Sequence, residues 1–150
     1  MHEALGSGQE YDVLDYTPDY WVVNGRSYPD TVKDDRDRSL PSQPSWSRIV
    51  ARVGQRLLSR IANTGFQNHG LYLGGLVGRV VAGDSYPLAT RAVDASYERT
   101  TPTIGSCERL NVLVILEVPG ECYIRDRDHG HIVNRDMFPG GMIAKVEVAP

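Results

Sequence analysis

No segment of this 150-residue chain keeps a helical apolar period for long; fifteen glycines and nine prolines cut it into short apolar stretches. Such a chain cannot lay down the continuous apolar stripe of a helix bundle, and its runs have the length and punctuation of strands. Asp19-Tyr20-Trp21-Val22-Val23 is aromatic and β-branched and runs into Asn24-Gly25, a tight-turn pair. Arg56 to Ala62 alternates, with Leu57, Ser59 and Ile61 on one side and Leu58, Arg60 and Ala62 on the other, and Asn63-Thr64-Gly65 ends it. Leu76 to Ala82 is a further strand candidate, closed by Gly83-Asp84-Ser85-Tyr86-Pro87. The most apolar run, Leu110 to Val118, stops at Pro119-Gly120, and Cys122 to Arg127 reads as the strand returning beside it. Gly140-Gly141 introduces a last strand from Met142 to Val148. Short strands at this spacing predict an antiparallel sandwich or barrel.

The length is that of one ordinary domain, enough to bury a core without metal or disulfide staples. With 41% hydrophobic and 23% charged residues, the chain has the balance of a soluble globular protein. A net charge of −3 with scattered arginines offers no basic stripe, so nucleic-acid binding is not expected. No apolar run approaches the roughly 20 residues that cross a bilayer. The opening MHEALGSGQEYD lacks the basic start and apolar middle of a secretory signal. Residues 1–15 read as an extension or linker and residues 31–47 as a long, solvated polar loop. Cys107 and Cys122 are expected to be free and buried, because a hairpin at Pro119-Gly120 would set Cys122 opposite Glu117, away from Cys107. No nucleophile elbow surrounds Ser85, Ser106 or Cys107, and no Gly-Lys-Ser/Thr follows Gly6-Ser7-Gly8 to make a phosphate loop.

Four blocks, in order, carry a family resemblance: PDYWVVNGRSYPDT (18–31), RLLSRIANTGFQNHGLYLGG (56–75), GRVVAGDSYPL (78–88) and the stretch from Gly105 to Val148. Together they resemble a cupredoxin-type domain of the multicopper oxidases, most closely a non-terminal domain of bacterial multidomain members. The resemblance implies an all-β, Greek-key β-sandwich and a single domain over residues 1–150. It implies other cupredoxin domains or subunits as partners, and an extracellular or periplasmic setting despite the missing signal.

The resemblance also says which residues the copper chemistry would need. A blue-copper site takes two histidine nitrogens, one cysteine thiolate and a weak axial ligand that is often methionine. In the family's active domains the cysteine stands within His-Cys-His. Here the matching register reads Arg125-Asp126-Arg127. His131 falls five residues beyond the cysteine position, at the second mononuclear histidine, and Met142 corresponds to the axial ligand. The upstream His-x-His-Gly falls on Tyr72-Leu73-Gly74-Gly75, with His69 just before it. Cys122 lies four residues before Asp126, about 13 Å along a strand, too far for a metal bond. Guanidinium groups keep their charge at any accessible pH, so Arg125 and Arg127 oppose a copper cluster and are expected to pair with Asp126, Asp128 or another domain's carboxylates.

Two functional readings follow. The first is a copper-free cupredoxin domain with a structural or interface role, for which Tyr16, Tyr20, Trp21 and Tyr28 are candidate contact residues; no cofactor is then expected. The second is a copper-binding oxidoreductase or electron-transfer subunit that uses a residual site, or one completed by a neighbouring domain. Its candidate ligands are His131, His69, Met142 and His129. His129 and His131 would face one way if extended and, with Asp128 or His69, would hold zinc or cupric copper.

Overall fold

The computed structural model describes residues 16–43 and 45–150. The expected extension at 1–15 lies outside the described residues. Ten strands form two sheets: β1 (Ile49–Arg52), β2 (Arg56–Ala62), β3 (His69–Tyr72), β4 (Gly78–Gly83), β5 (Tyr86–Pro87), β6 (Tyr97–Arg99), β7 (Thr103–Ile104), β8 (Arg109–Ile115), β9 (Gly120–Asp126) and β10 (Ile143–Ala149). One sheet has the order β1-β10-β9-β3-β7; in the other β2, β8, β4 and β5 follow one another, and β6 also pairs β4. Every pairing is antiparallel except β1 with β10. The chain crosses between the sheets repeatedly, giving an all-β Greek-key sandwich.

The alternation along β2 sets Leu57 and Ile61 inward with Arg56, Leu58 and Arg60 exposed. Val80 of β4, Val112 and Val114 of β8, and Val146 and Val148 of β10 meet with Leu73 and Leu116 in the core. Full burial of each such side chain is worth about 1.5–3 kcal/mol. Gly78 is needed where β4 crosses this core, because a Cβ there would stand 2.5 Å from Val112 and 2.7 Å from Leu73. Among the described residues no helix is long and apolar enough to cross a membrane.

Three expectations are corrected. Pro119-Gly120 does turn the chain, but β9 does not return beside β8: it joins the opposite sheet, against β10 and β3. Turn chemistry fixes a local reversal and leaves the partner strand open. Cys122 therefore stands opposite Val146. Both cysteines are free, as expected, but Cys107 is exposed in a turn at φ 63° and only Cys122 packs against the core. The aromatic run at residues 19–23 forms no strand. It contributes two isolated bridges, one from Tyr20 to Asn134 and one from Val23 to Arg26 across the Asn24-Gly25 turn. Both turn residues have positive φ, 52° and 79°, as a type I′ turn requires.

The polar segment 31–47 is irregular, as its composition implies, yet it is not simply solvated. A 3-10 turn at Asp30–Val32 opens it, with Thr31 buried and its hydroxyl donating to the Ile143 carbonyl. The following loop closes over Arg26, which is 0% exposed.

Candidate functional site

Strand alternation in β9 turns Asp126 into the sandwich and leaves Arg125 and Arg127 on the other side. Asp126 is 1% exposed. It is paired with Leu71 of β3, and β3 begins at His69, itself buried. His131 reaches the same point from a 3-10 turn, His129–His131. Asp128 caps that turn by accepting from the Gly130 amide at 2.8 Å. The two imidazoles converge on one oxygen: Asp126 Oδ2 lies 2.6 Å from His69 Nδ1 and 2.8 Å from His131 Nδ1. Asp126 Oδ1 accepts from the Asp128 amide at 2.9 Å, which fixes the carboxylate plane. His131 Nε2 lies 3.0 Å from Gln67 Oε1.

Aromatic packing holds the rings in place. Trp21 lies over His131, with centroids 3.8 Å apart, and meets His69 in a T-shaped contact at 5.6 Å. The two imidazoles meet edge-on at 5.0 Å. Beside them is a cavity of about 200 Å³ whose wall includes Trp21, His69, Leu71, Ile104 and Met142. Met142 is tied to the cluster through its backbone: its amide donates to the His131 carbonyl at 2.9 Å, and its carbonyl accepts from the Asp126 amide at 3.1 Å.

Gly141 makes this approach possible. It has φ +60°, and a Cβ on it would come within 2.1 Å of the His131 carbonyl oxygen. Gly141→Ala is expected to destabilise the fold by about 2 kcal/mol or more, and to change Trp21 emission because His131 must move. Urea unfolding followed by tryptophan fluorescence checks both effects; an unchanged midpoint contradicts them.

Of the four histidine and methionine candidates, the structure brings His69 and His131 together and sets Met142 on the wall of the cavity beside His69. His129 stands apart. The Asp128 cap folds residues 129–131 into a turn, so His129 is exposed while His131 is buried, and the extended i, i+2 arrangement is not formed. The expected pairing of Arg125 and Arg127 with Asp126 or Asp128 is also corrected. Neither arginine lies within salt-bridge distance of a carboxylate among the described residues, and Arg125 instead stacks over Tyr72 at 5.5 Å. Cys122 packs beside Gly74. Burial pushes its thiol above the ordinary value, which disfavours a thiolate.

Sequence reasoning named His69 and His131 and placed Asp126 at the cysteine position, but missed that the carboxylate joins the two imidazoles, together with the contacts of Trp21 and Gln67. The register supplied a signal for the first. The contacts of Trp21 and Gln67 span 110 and 64 positions and leave no local pattern.

No family model matches the chain, and no curated protein does. Solved structures do. Blue Copper Oxidase from Nitrosomonas europaea superposes with a TM-score of 0.75 over 97% of this chain, at 22% identity. The multicopper oxidase mgLAC gives the same TM-score and coverage at 21% identity. A multicopper oxidase from Pseudomonas thermotolerans gives 0.56 over 67% of the chain, also at 21%. The chain spans 40% of the length of each of the first two. At these identities the likeness concerns architecture, and it agrees with the strand order and sheet crossings: this chain has the fold of a cupredoxin-type multicopper oxidase domain.

Proposed function

We propose that the chain is a cupredoxin domain of a multicopper-oxidase-like protein that does not carry blue copper and serves to hold or position neighbouring domains. The observation that carries this reading is the carboxylate of Asp126 between two histidine Nδ1 atoms, where a blue site needs a thiolate. Two imidazoles suit the group; the third donor does not. Soft sulfur sets both the geometry and the potential of such a centre, and oxygen from a buried carboxylate supplies neither. Neither cysteine contributes to the cluster. Arg125 and Arg127, at the flanking positions, add fixed positive charge on the face where further copper ions would have to sit.

The interface role is supported by length and by surface. The chain corresponds to part of a longer protein in the structures it resembles. Its outer face carries a shallow concavity of about 600 Å³ lined by Tyr28, Tyr123, Arg125 and Phe138 among others. Phe138 is 71% exposed beside an equally open Met137. Aromatic side chains around an arginine are the composition of an interface core. Tyr28 belongs to this surface, whereas Trp21 is occupied with the histidine cluster.

Reconstitution with cupric and cuprous copper tests the reading. The expected result is no intense blue absorption at any copper loading. A strong blue band with one copper per chain overturns it.

A further inference from the structure

We propose that His69, Asp126 and His131 form a binding site for a redox-inert divalent cation, zinc in the first instance; this rests on the reading of the domain as lacking blue copper. The misfit to copper–thiolate chemistry is itself the starting point. Two imidazole nitrogens and one carboxylate oxygen are a donor set of the kind zinc takes, and it lacks the soft ligand that selects cuprous copper. The three potential ligand atoms lie within 4.8 Å of one another, and each residue is more than nine-tenths buried.

The surroundings are those of a supported metal site. Ligating histidines usually donate their second ring N–H to a carbonyl, carboxylate or water, and ligating carboxylates are themselves hydrogen-bonded. His131 Nε2 lies 3.0 Å from Gln67 Oε1, a side-chain contact that holds the ring with Nδ1 turned toward Asp126. Asp126 is held through Oδ1 by the Asp128 amide, so Oδ2 remains the inward donor.

Proton and distance changes are small. The two Nδ1 atoms lie 2.6 and 2.8 Å from Asp126 Oδ2. Zinc bonds of 2.0–2.1 Å at a tetrahedral angle put neighbouring donors about 3.3 Å apart, so each nitrogen moves from the carboxylate oxygen by about 0.5–0.7 Å. Each imidazole would bind through an unprotonated Nδ1 and keep one proton on Nε2, and a ring that carried both protons would release one to solvent. The short turn that bears His131 can yield more readily than a paired strand. A fourth donor, water, would come from the cavity beside His69.

The test is titration of the metal-free chain with zinc by calorimetry, with cobalt as a spectroscopic probe. The expected result is one zinc per chain and a four-coordinate cobalt spectrum without a thiolate charge-transfer band. Asp126→Asn, nearly isosteric, is expected to weaken zinc at least tenfold, Gln67→Ala about 10–100-fold, and His129→Ala not at all. Absence of stoichiometric zinc binding overturns the inference. So does binding that survives both Asp126→Asn and Gln67→Ala, or that is lost with His129→Ala. A chain that binds no zinc and shows no blue band leaves the domain reading standing while this one fails. A blue copper band has the reverse consequence for the domain reading.

Discussion

Asp126→Cys is expected to convert a chain with no blue copper band into one that binds one cupric ion with intense blue absorption. The substitution changes one residue and supplies the one donor that the cluster lacks. His69 and His131 already bring two Nδ1 atoms to within 2.6 and 2.8 Å of Asp126 Oδ2, and Met142 is tied by backbone hydrogen bonds to both Asp126 and His131. A cysteine sulfur lies closer to its own Cβ than a carboxylate oxygen does, by about half an ångström. The exchange therefore withdraws the donor and opens room for the ion between the two nitrogens. Without metal, the variant loses the charged acceptor of two buried imidazole N–H groups, and about 1–3 kcal/mol of stability with it. Copper binding should restore that loss. The measurement is the visible spectrum and thermal midpoint with and without copper, in a Cys107→Ser, Cys122→Ser background so that the new thiolate alone can respond. A colourless copper adduct, indistinguishable from that of the parent chain, would show that the two histidines are not disposed as ligands.

How much of this was legible in the sequence differs between fold and site for one physical reason. Alternation and turn residues are local, and β2, β4, β8, β9 and β10 all lie close to where Leu57–Ile61, Val80, Val112–Val114, Cys122 and Val146 predict them. Sheet membership is not local. Pro119-Gly120 signals a reversal equally well for a hairpin and for a crossing between sheets, and the protein uses the crossing. At the site, Asp126, His131 and Met142 were legible because the strand register places them, and His69 because it precedes the Gly74-Gly75 turn. His129 misled because two residues of separation imply a common face only in extended chain. The Asp128 side chain, accepting from Gly130, closes a turn there instead. The role of Trp21 was ambiguous for a related reason: an aromatic in a short apolar run looks the same whether it meets a partner domain or a buried histidine.

Arg26 is the residue whose sequence context conveyed least, and its loss is expected to be among the most damaging single changes. It follows the Asn24-Gly25 turn, where an arginine ordinarily points into water, yet it is 0% exposed. Its guanidinium serves carbonyls alone. Nε and Nη2 donate to the Gln43 carbonyl at 3.0 and 2.8 Å, and Nη1 donates to Lys33 at 3.0 Å and Asp34 at 3.1 Å, with a longer contact to Asp30. Among the described residues no carboxylate lies within 4.0 Å of it. The positive charge is held by backbone dipoles from a segment that has no strand of its own, so the side chain acts as the core around which residues 30–43 close. Charge-assisted hydrogen bonds contribute about 1.5–3 kcal/mol each, and carbonyls left buried without a donor carry the full desolvation cost. Arg26→Met, which keeps the bulk and removes the donors, should therefore cost about 3 kcal/mol or more. Arg26→Lys should recover only part of that, since a single ammonium cannot address Gln43 and Lys33 from two edges as the planar fork does. Urea unfolding gives the first number, and limited proteolysis locates the effect. Cleavage should appear between residues 33 and 43 while the strands still resist. If Arg26→Met unfolds at the same urea concentration as the parent and gains no cleavage there, the loop is held by Thr31 and its own turns, and the buried charge contributes nothing to it.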